Sequence, residues 1–159
     1  MKLKTGKIEN TERKFIPIRK SKFREYVEKL TFIEEFRITQ YYEGDYKYRK
    51  FESDINKFTR SKKEKNYTVV EEIDENEFLK HFNQKSAIKK ERKKYKDNIY
   101  TIEIDQFYEP VYMTMIEVST DSGDLQNYKP EKSFIEVTNG VRIDIWTHFM
   151  RGCIIDYVY

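Results

Sequence analysis

The chain has 159 residues, of which 31 are basic and 28 acidic, for a formal net charge of +3. Charged residues make up 37% and hydrophobic ones 38%, with 13 Tyr and 11 Phe. That many aromatics sets the chain apart from disordered segments and points to a single folded domain over residues 1–159. Five Gly, three Pro and one Cys exclude a Gly-rich phosphate loop, a Pro-rich linker, an intramolecular disulfide and a Cys-rich zinc site.

In chain order, residues 7–18 (KIENTERKFIPI) read as a strand, which places Ile8, Asn10, Glu12, Lys14 and Ile16 on one face. Residues 20–31 predict a helix, with Phe23, Tyr26, Val27 and Leu30 on its apolar side. Residues 38–51 (ITQYYEGDYKYRKF) predict two strands joined through Glu43-Gly44-Asp45. INKFTRSK (55–62) predicts a further strand, SKKEKN a loop, and YTVVEEI (67–73) a strand. Asp74 with Glu77 three residues on is a capping-box pattern opening a second helix, whose apolar side is Phe78, Leu79 and Phe82.

AIKKERKKY (87–95) suits helix or strand by propensity. Residues 98–108 and 111–120 predict strands, and 121–133 the longest loop. FIEVT (134–138) and VRIDIW (141–146) flank Asn139-Gly140, a hairpin signal, and 147–159 carry no clear pattern. Mostly strands with one polar and one apolar face, plus two helices, predict an α+β fold around an antiparallel sheet or barrel.

The near balance of charge gives no indication of nucleic acid. No apolar run approaches the roughly 18 residues that span a bilayer, and the opening MKLKTGKIENTERK lacks an apolar signal core. A soluble cytoplasmic protein without a membrane partner is the expectation. Alternation segregates charge by strand: Lys47 with Arg49, Lys90 with Arg92, Glu103 with Asp105. Taken singly, each is an ordinary solvated face. Taken together, acid-only and base-only faces suit a cavity in which bases hold phosphate oxygens and carboxylates hold a hard divalent ion. His81, His148 and Cys153 read as structural, since no nucleophile–base pattern accompanies them.

These segments, in this order, resemble the CYTH superfamily, the triphosphate tunnel metalloenzymes. That family carries E-x-E-x-K on its first strand, where this chain has Asn10, Glu12 and Lys14. ITQYY, YKYRK, EEIDENEF, IKKERKKY, IEIDQF, MIEVS and FIEVTNGVRI resemble its later segments, over roughly residues 7–146. The chain departs from the pattern at Asn10, Thr68, Val70, Ser119 and Gly140, each standing where the family has an acid.

The resemblance implies a closed antiparallel β-barrel, nominally eight-stranded, with flanking helices and a central tunnel. It implies Mg²⁺ or Mn²⁺ as cofactor and a small-molecule triphosphate or nucleotide as substrate. A nucleic acid would enter only as a 5′-triphosphate RNA end, and a homodimer stays open. Carried over residue by residue, it gives Lys14, Lys47, Arg49, Lys90, Arg92 and Arg142 to phosphate binding. Glu12, Glu117, Glu103, Asp105 and Asn10 go to the metal, with Glu12 and Lys14 catalytic. The implied activity is a divalent-metal-dependent triphosphatase acting on tripolyphosphate, a nucleoside triphosphate or thiamine triphosphate. Class IV adenylyl cyclase chemistry and binding without turnover are the alternatives, the latter because Asn10, Val70 and Ser119 thin the acidic half.

Overall fold

The computed structural model describes residues 5–9, 12–64, 67–121 and 125–138, the first of these segments as backbone. The chain forms β1 (Thr5–Glu9), β2 (Glu12–Ile16), α1 (Lys20–Glu28), β3 (Thr31–Glu43), β4 (Tyr46–Glu52), β5 (Lys57–Lys63) and β6 (Tyr67–Ile73). α2 (Glu75–Leu79), β7 (Ile88–Asp97), β8 (Tyr100–Glu109), β9 (Met113–Thr120) and β10 (Ile135–Glu136) follow. The α+β expectation holds: the strands make one sheet, in the order β1-β6-β5-β4-β3-β7-β8-β9-β2-β10, and every pairing is antiparallel.

Among the described residues the count is ten strands rather than the nominal eight, and the strand expected over 141–146 lies outside them. Two differences account for this. The strand expected over 7–18 is β1 and β2, one on β6 and the other on β9, with residues 10 and 11 outside the described range. The two-residue β10 adds a short edge.

Local chemistry sets the boundaries. Pro17 follows β2 and has no N–H for a ladder, so the strand stops at Ile16. Gly44 takes φ 60 in the β3–β4 turn, a conformation open to glycine at little steric cost. Asp74 caps α2 by accepting from the Glu77 backbone N–H at 2.8 Å, as the capping pattern predicts. The AIKKERKKY segment resolves as strand: the Ile88-Lys90-Arg92 set faces one side and Tyr95 the other, between two long neighbours. β3 begins seven residues before the expected strand at Ile38, because Thr31–Arg37 pair with β7.

The apolar core lies mainly on the helix-bearing face. α1 seats Phe23 against Phe15, Ile102, Ile104, Ile116 and Val118, with Tyr95 and Tyr128 at the margins. α2 seats Phe78 against Tyr41, Tyr48, Phe58 and Ile73. Arg13 points the same way and ties the chain after β9 to the sheet. Its guanidinium donates to both Glu136 carboxylate oxygens, at 2.9 and 2.7 Å, and to the Leu125 and Tyr128 carbonyls. Among the described residues no helix is long and apolar enough to cross a membrane.

Candidate anion-binding site

Cross-strand register decides which side chains share a face, because residues directly opposite in an antiparallel pair project to the same side. Lys14 is opposite Glu117, and Glu117 is opposite Glu103. Arg92 is opposite Asp105 and Lys90 opposite Phe107. Ile38 pairs Lys90 on one side, and two residues on Gln40 pairs Arg49 and Tyr42 pairs Lys47. Glu12, Lys14, Lys47, Arg49, Lys90, Arg92, Glu103, Asp105 and Glu117 therefore all project from the face opposite the helices. Asn10 and Arg142, also expected here, lie outside the described residues. Glu136 lies on the helix-bearing side with Arg13.

The β7–β8 side is a tight ionic cluster. Asp105, 4% exposed, accepts from Arg92 Nε at 2.7 Å and Nη2 at 2.9 Å, and from Lys90 Nζ at 2.8 Å. Arg92 Nη1 reaches Glu103 Oε2 at 3.1 Å. Burial alone would raise the Asp105 carboxyl, but Arg92 and Lys90 beside it hold it well below the usual carboxylate range. Burial pushes Lys90 down to about 7, with Arg92 and Arg49 acting in the same sense against Asp105.

The β4 side is different. Lys47 has no hydrogen bond or carboxylate ion pair among the described residues, and burial with Arg49 and Lys90 nearby holds its ammonium well below the ordinary lysine range. Arg49 donates from Nε to Gln40 Oε1 at 3.0 Å and likewise meets no carboxylate there. Burial, then Arg92, lowers its proton affinity.

On β2 and β9 two carboxyls meet. Burial first, then a hydrogen bond and like charge from Glu117, raise Glu12 to about 7. Burial would raise Glu117 too, but the bond from Glu12 and the charges of Arg92 and Lys14 hold it at about 2. The pair thus carries one shared proton near neutrality. Lys14 Nζ lies 3.4 Å from Glu12 Oε1.

Of the residues expected here, five bases share the face with four carboxyls, and Lys63, Lys94, Glu34 and Glu72 project to it as well. Lys47 and Arg49, which meet no carboxylate among the described residues, are the groups with capacity for charge-assisted hydrogen bonds to an anion with several oxygens. The same face turns apolar beside the cations, where Ile88, Phe107 and Met113 are buried against Ile16, Tyr42 and Met115.

Two participants have little signal in the sequence. Gln40 orients Arg49, and its one cue is an amide in phase between Ile38 and Tyr42. Lys63, whose charge acts on Glu12, sits in a stretch expected to be loop. The register that unites Glu103 and Asp105 with the bases is a pairing property, which one strand's alternation does not contain.

No family model and no curated protein matches the chain. Among solved structures, it is similar to the PH1012 protein from Pyrococcus horikoshii OT3. The TM-score is 0.52 and the identity 17%, over 75% of this chain and 82% of that one. A conserved hypothetical protein from Pyrococcus furiosus aligns over 92% of this chain and 89% of its own, at 16% identity and a TM-score of 0.49. The first likeness is one of fold.

Proposed function

We propose that the protein is a divalent-metal-dependent phosphohydrolase acting on a triphosphate, held on the charged face of a sheet that closes into a tunnel of the CYTH kind. The observation that carries this reading is the convergence of Lys14, Lys47, Arg49, Lys90 and Arg92 from three strands, two of them without a carboxylate partner among the described residues. An elongated phosphate chain can meet all three strands at once; a single small anion cannot. Closure is supported by connectivity. β1 pairs at one end of the sheet order and β2 near the other, and two residues join them.

The acidic half fits a hard cation in part. Among the described residues no group of three or more His, Cys, Asp or Glu side chains forms a metal cluster. Glu12 and Glu117, on losing the proton they share, would offer two oxygen donors of the kind Mg²⁺ or Mn²⁺ takes alongside several waters. An ion held there would neutralise phosphoryl charge. Lys47, Arg49 and Lys14 would bind and orient the phosphate oxygens. Glu12, its proton displaced by the ion, would position the attacking water.

Incubation with tripolyphosphate, nucleoside triphosphates, thiamine triphosphate and a 5′-triphosphate RNA, in Mg²⁺ and in Mn²⁺, tests the reading. Release of orthophosphate from one of them is the expected result. Pyrophosphate with a cyclic nucleotide would instead mark a cyclase, and no product from any would refute catalysis. Binding without turnover is the second reading, favoured by the engagement of Asp105 and Glu103 in ion pairs with Lys90 and Arg92. Calorimetry in EDTA distinguishes it: full phosphate affinity without metal, and no hydrolysis with it.

A further inference from the structure

Asp105 stands where the family resemblance puts a metal ligand, yet its surroundings are those of an anion already neutralised. Both carboxylate oxygens are taken: Oδ1 by Arg92 Nε, and Oδ2 by Arg92 Nη2 and Lys90 Nζ, all within 2.9 Å. A divalent ion at Asp105 would sit beside two fixed cations and would have to break a side-on, two-point Arg92 contact. That contact also selects geometry. It occupies the Nε edge of the guanidinium, while Glu103 takes one further N–H through Nη1. Arg has five N–H donors and Lys three, so about two on each remain for a ligand. Lys90 is fixed from a second side as well, its Nζ lying 4.9 Å from the centre of the Phe107 ring.

We infer that Asp105 is a positioning residue: the fixed counter-ion that sets Lys90 and Arg92 side by side as one phosphate grip, and not a ligand of the metal. The inference rests on the reading of this face as a phosphate site. It divides the cations into two kinds. Lys90 and Arg92 are prearranged by an internal acid, while Lys47 and Arg49 wait for the ligand's own charge. A carboxylate merely near an anion site repels the anion, so removing it tightens binding. A carboxylate that orders two cations does the reverse. The sign of one substitution separates these roles.

The test is tripolyphosphate binding by calorimetry in EDTA, for the wild type, Asp105→Asn, K90M/R92M and the triple variant. Asp105→Asn is expected to weaken binding about tenfold or more, the range of one lost charged contact. Within K90M/R92M the same substitution is expected to change affinity by less than about twofold, because nothing remains to position. In ligand-free melts, Asp105→Asn is expected to lower Tm, and the triple variant to recover it, since two buried cations are no longer uncompensated. Should Asp105→Asn not fold, recovery of folding in the triple variant supports the same counter-ion role.

Affinity at or above wild type in Asp105→Asn overturns the role. So does intact metal-free binding coupled to loss of the Mg²⁺ dependence, which is the behaviour of a metal ligand. A triple variant no more stable than the single one also overturns it. A wild type that binds no tripolyphosphate overturns the phosphate reading itself and the grip with it, a result distinct from intact wild-type binding with an indifferent Asp105→Asn.

Discussion

Replacing Glu12 with Gln tests the shared proton between β2 and β9. Glu12 is raised from its ordinary 4.5 to about 7 by burial and by Glu117. Its contribution to stability is therefore fully present below 4.5 and is lost as pH rises through 7. At about 1.4 kcal/mol per tenfold change in proton affinity, the full shift is worth about 3 kcal/mol. The side chain is 31% exposed, so screening reduces this to about 1–2 kcal/mol. Glu117, held at about 2, has the opposite sign: its contribution is present above 4.5 and is lost only as pH falls toward 2, outside this window.

Lys90, lowered to about 7, adds stability only as pH rises beyond that value. The window from pH 5 to 7 thus isolates Glu12. Urea unfolding followed by circular dichroism in EDTA should show the wild type losing about 1–2 kcal/mol relative to Glu12→Gln across it. Millimolar Mg²⁺ should restore the loss in the wild type alone, by binding the folded state. Parallel pH profiles for the two proteins, or a wild type that gains stability over this window, would refute the reasoning.

Lys47→Met removes an ammonium that burial and its neighbours disfavour. The ligand-free protein should gain stability in urea unfolding, while tripolyphosphate affinity falls about tenfold or more by calorimetry. Phe78→Ala empties the ring cluster under α2, where Phe78 meets Tyr41 at 5.2 Å and Phe58 at 5.3 Å between centroids. Urea unfolding should show a loss of about 3–5 kcal/mol, with phosphate affinity of the folded protein unchanged because the cluster lies on the opposite face. Arg13→Ala should cost about 1–2 kcal/mol, given the partial exposure of its contact with Glu136, and should speed amide exchange within 125–138.

The legible parts of the fold are those in which one segment decides its own form. YTVVEEI forms β6 over the expected residues, and Asp74 caps where a capping pattern places it. Glu43-Gly44-Asp45 marks the β3–β4 turn, because few residues other than glycine accept φ 60 at Gly44. Thr31–Arg37 carries no strand signal of its own: its first five positions are exposed, and pairing with β7 makes it strand. Lys63, beyond the strand expected over 55–62, reads as loop for the same reason, since charge hides a strand whose polar side faces other charge. At the site, residue types are visible in the sequence and partnerships are not. Asp105 and Glu103 look alike by alternation, yet Asp105 is closed off by two cations while Glu103 meets one.

The placement of the hydrophobic core also bears on how this chain can change. Most of the packing that holds the sheet is on the helix side, contributed by Phe15, Phe23, Ile102, Ile116, Val118 and Phe78. The ionic groups answer to a different constraint, the charge of whatever they hold. Substitutions among them trade repulsion against attraction and leave the helix-side packing in place. Such a scaffold is evolvable in a particular sense: exposed charges can change singly, while a buried acid such as Asp105 changes together with the cations it neutralises. What the charged face holds can then shift without redesign of the core.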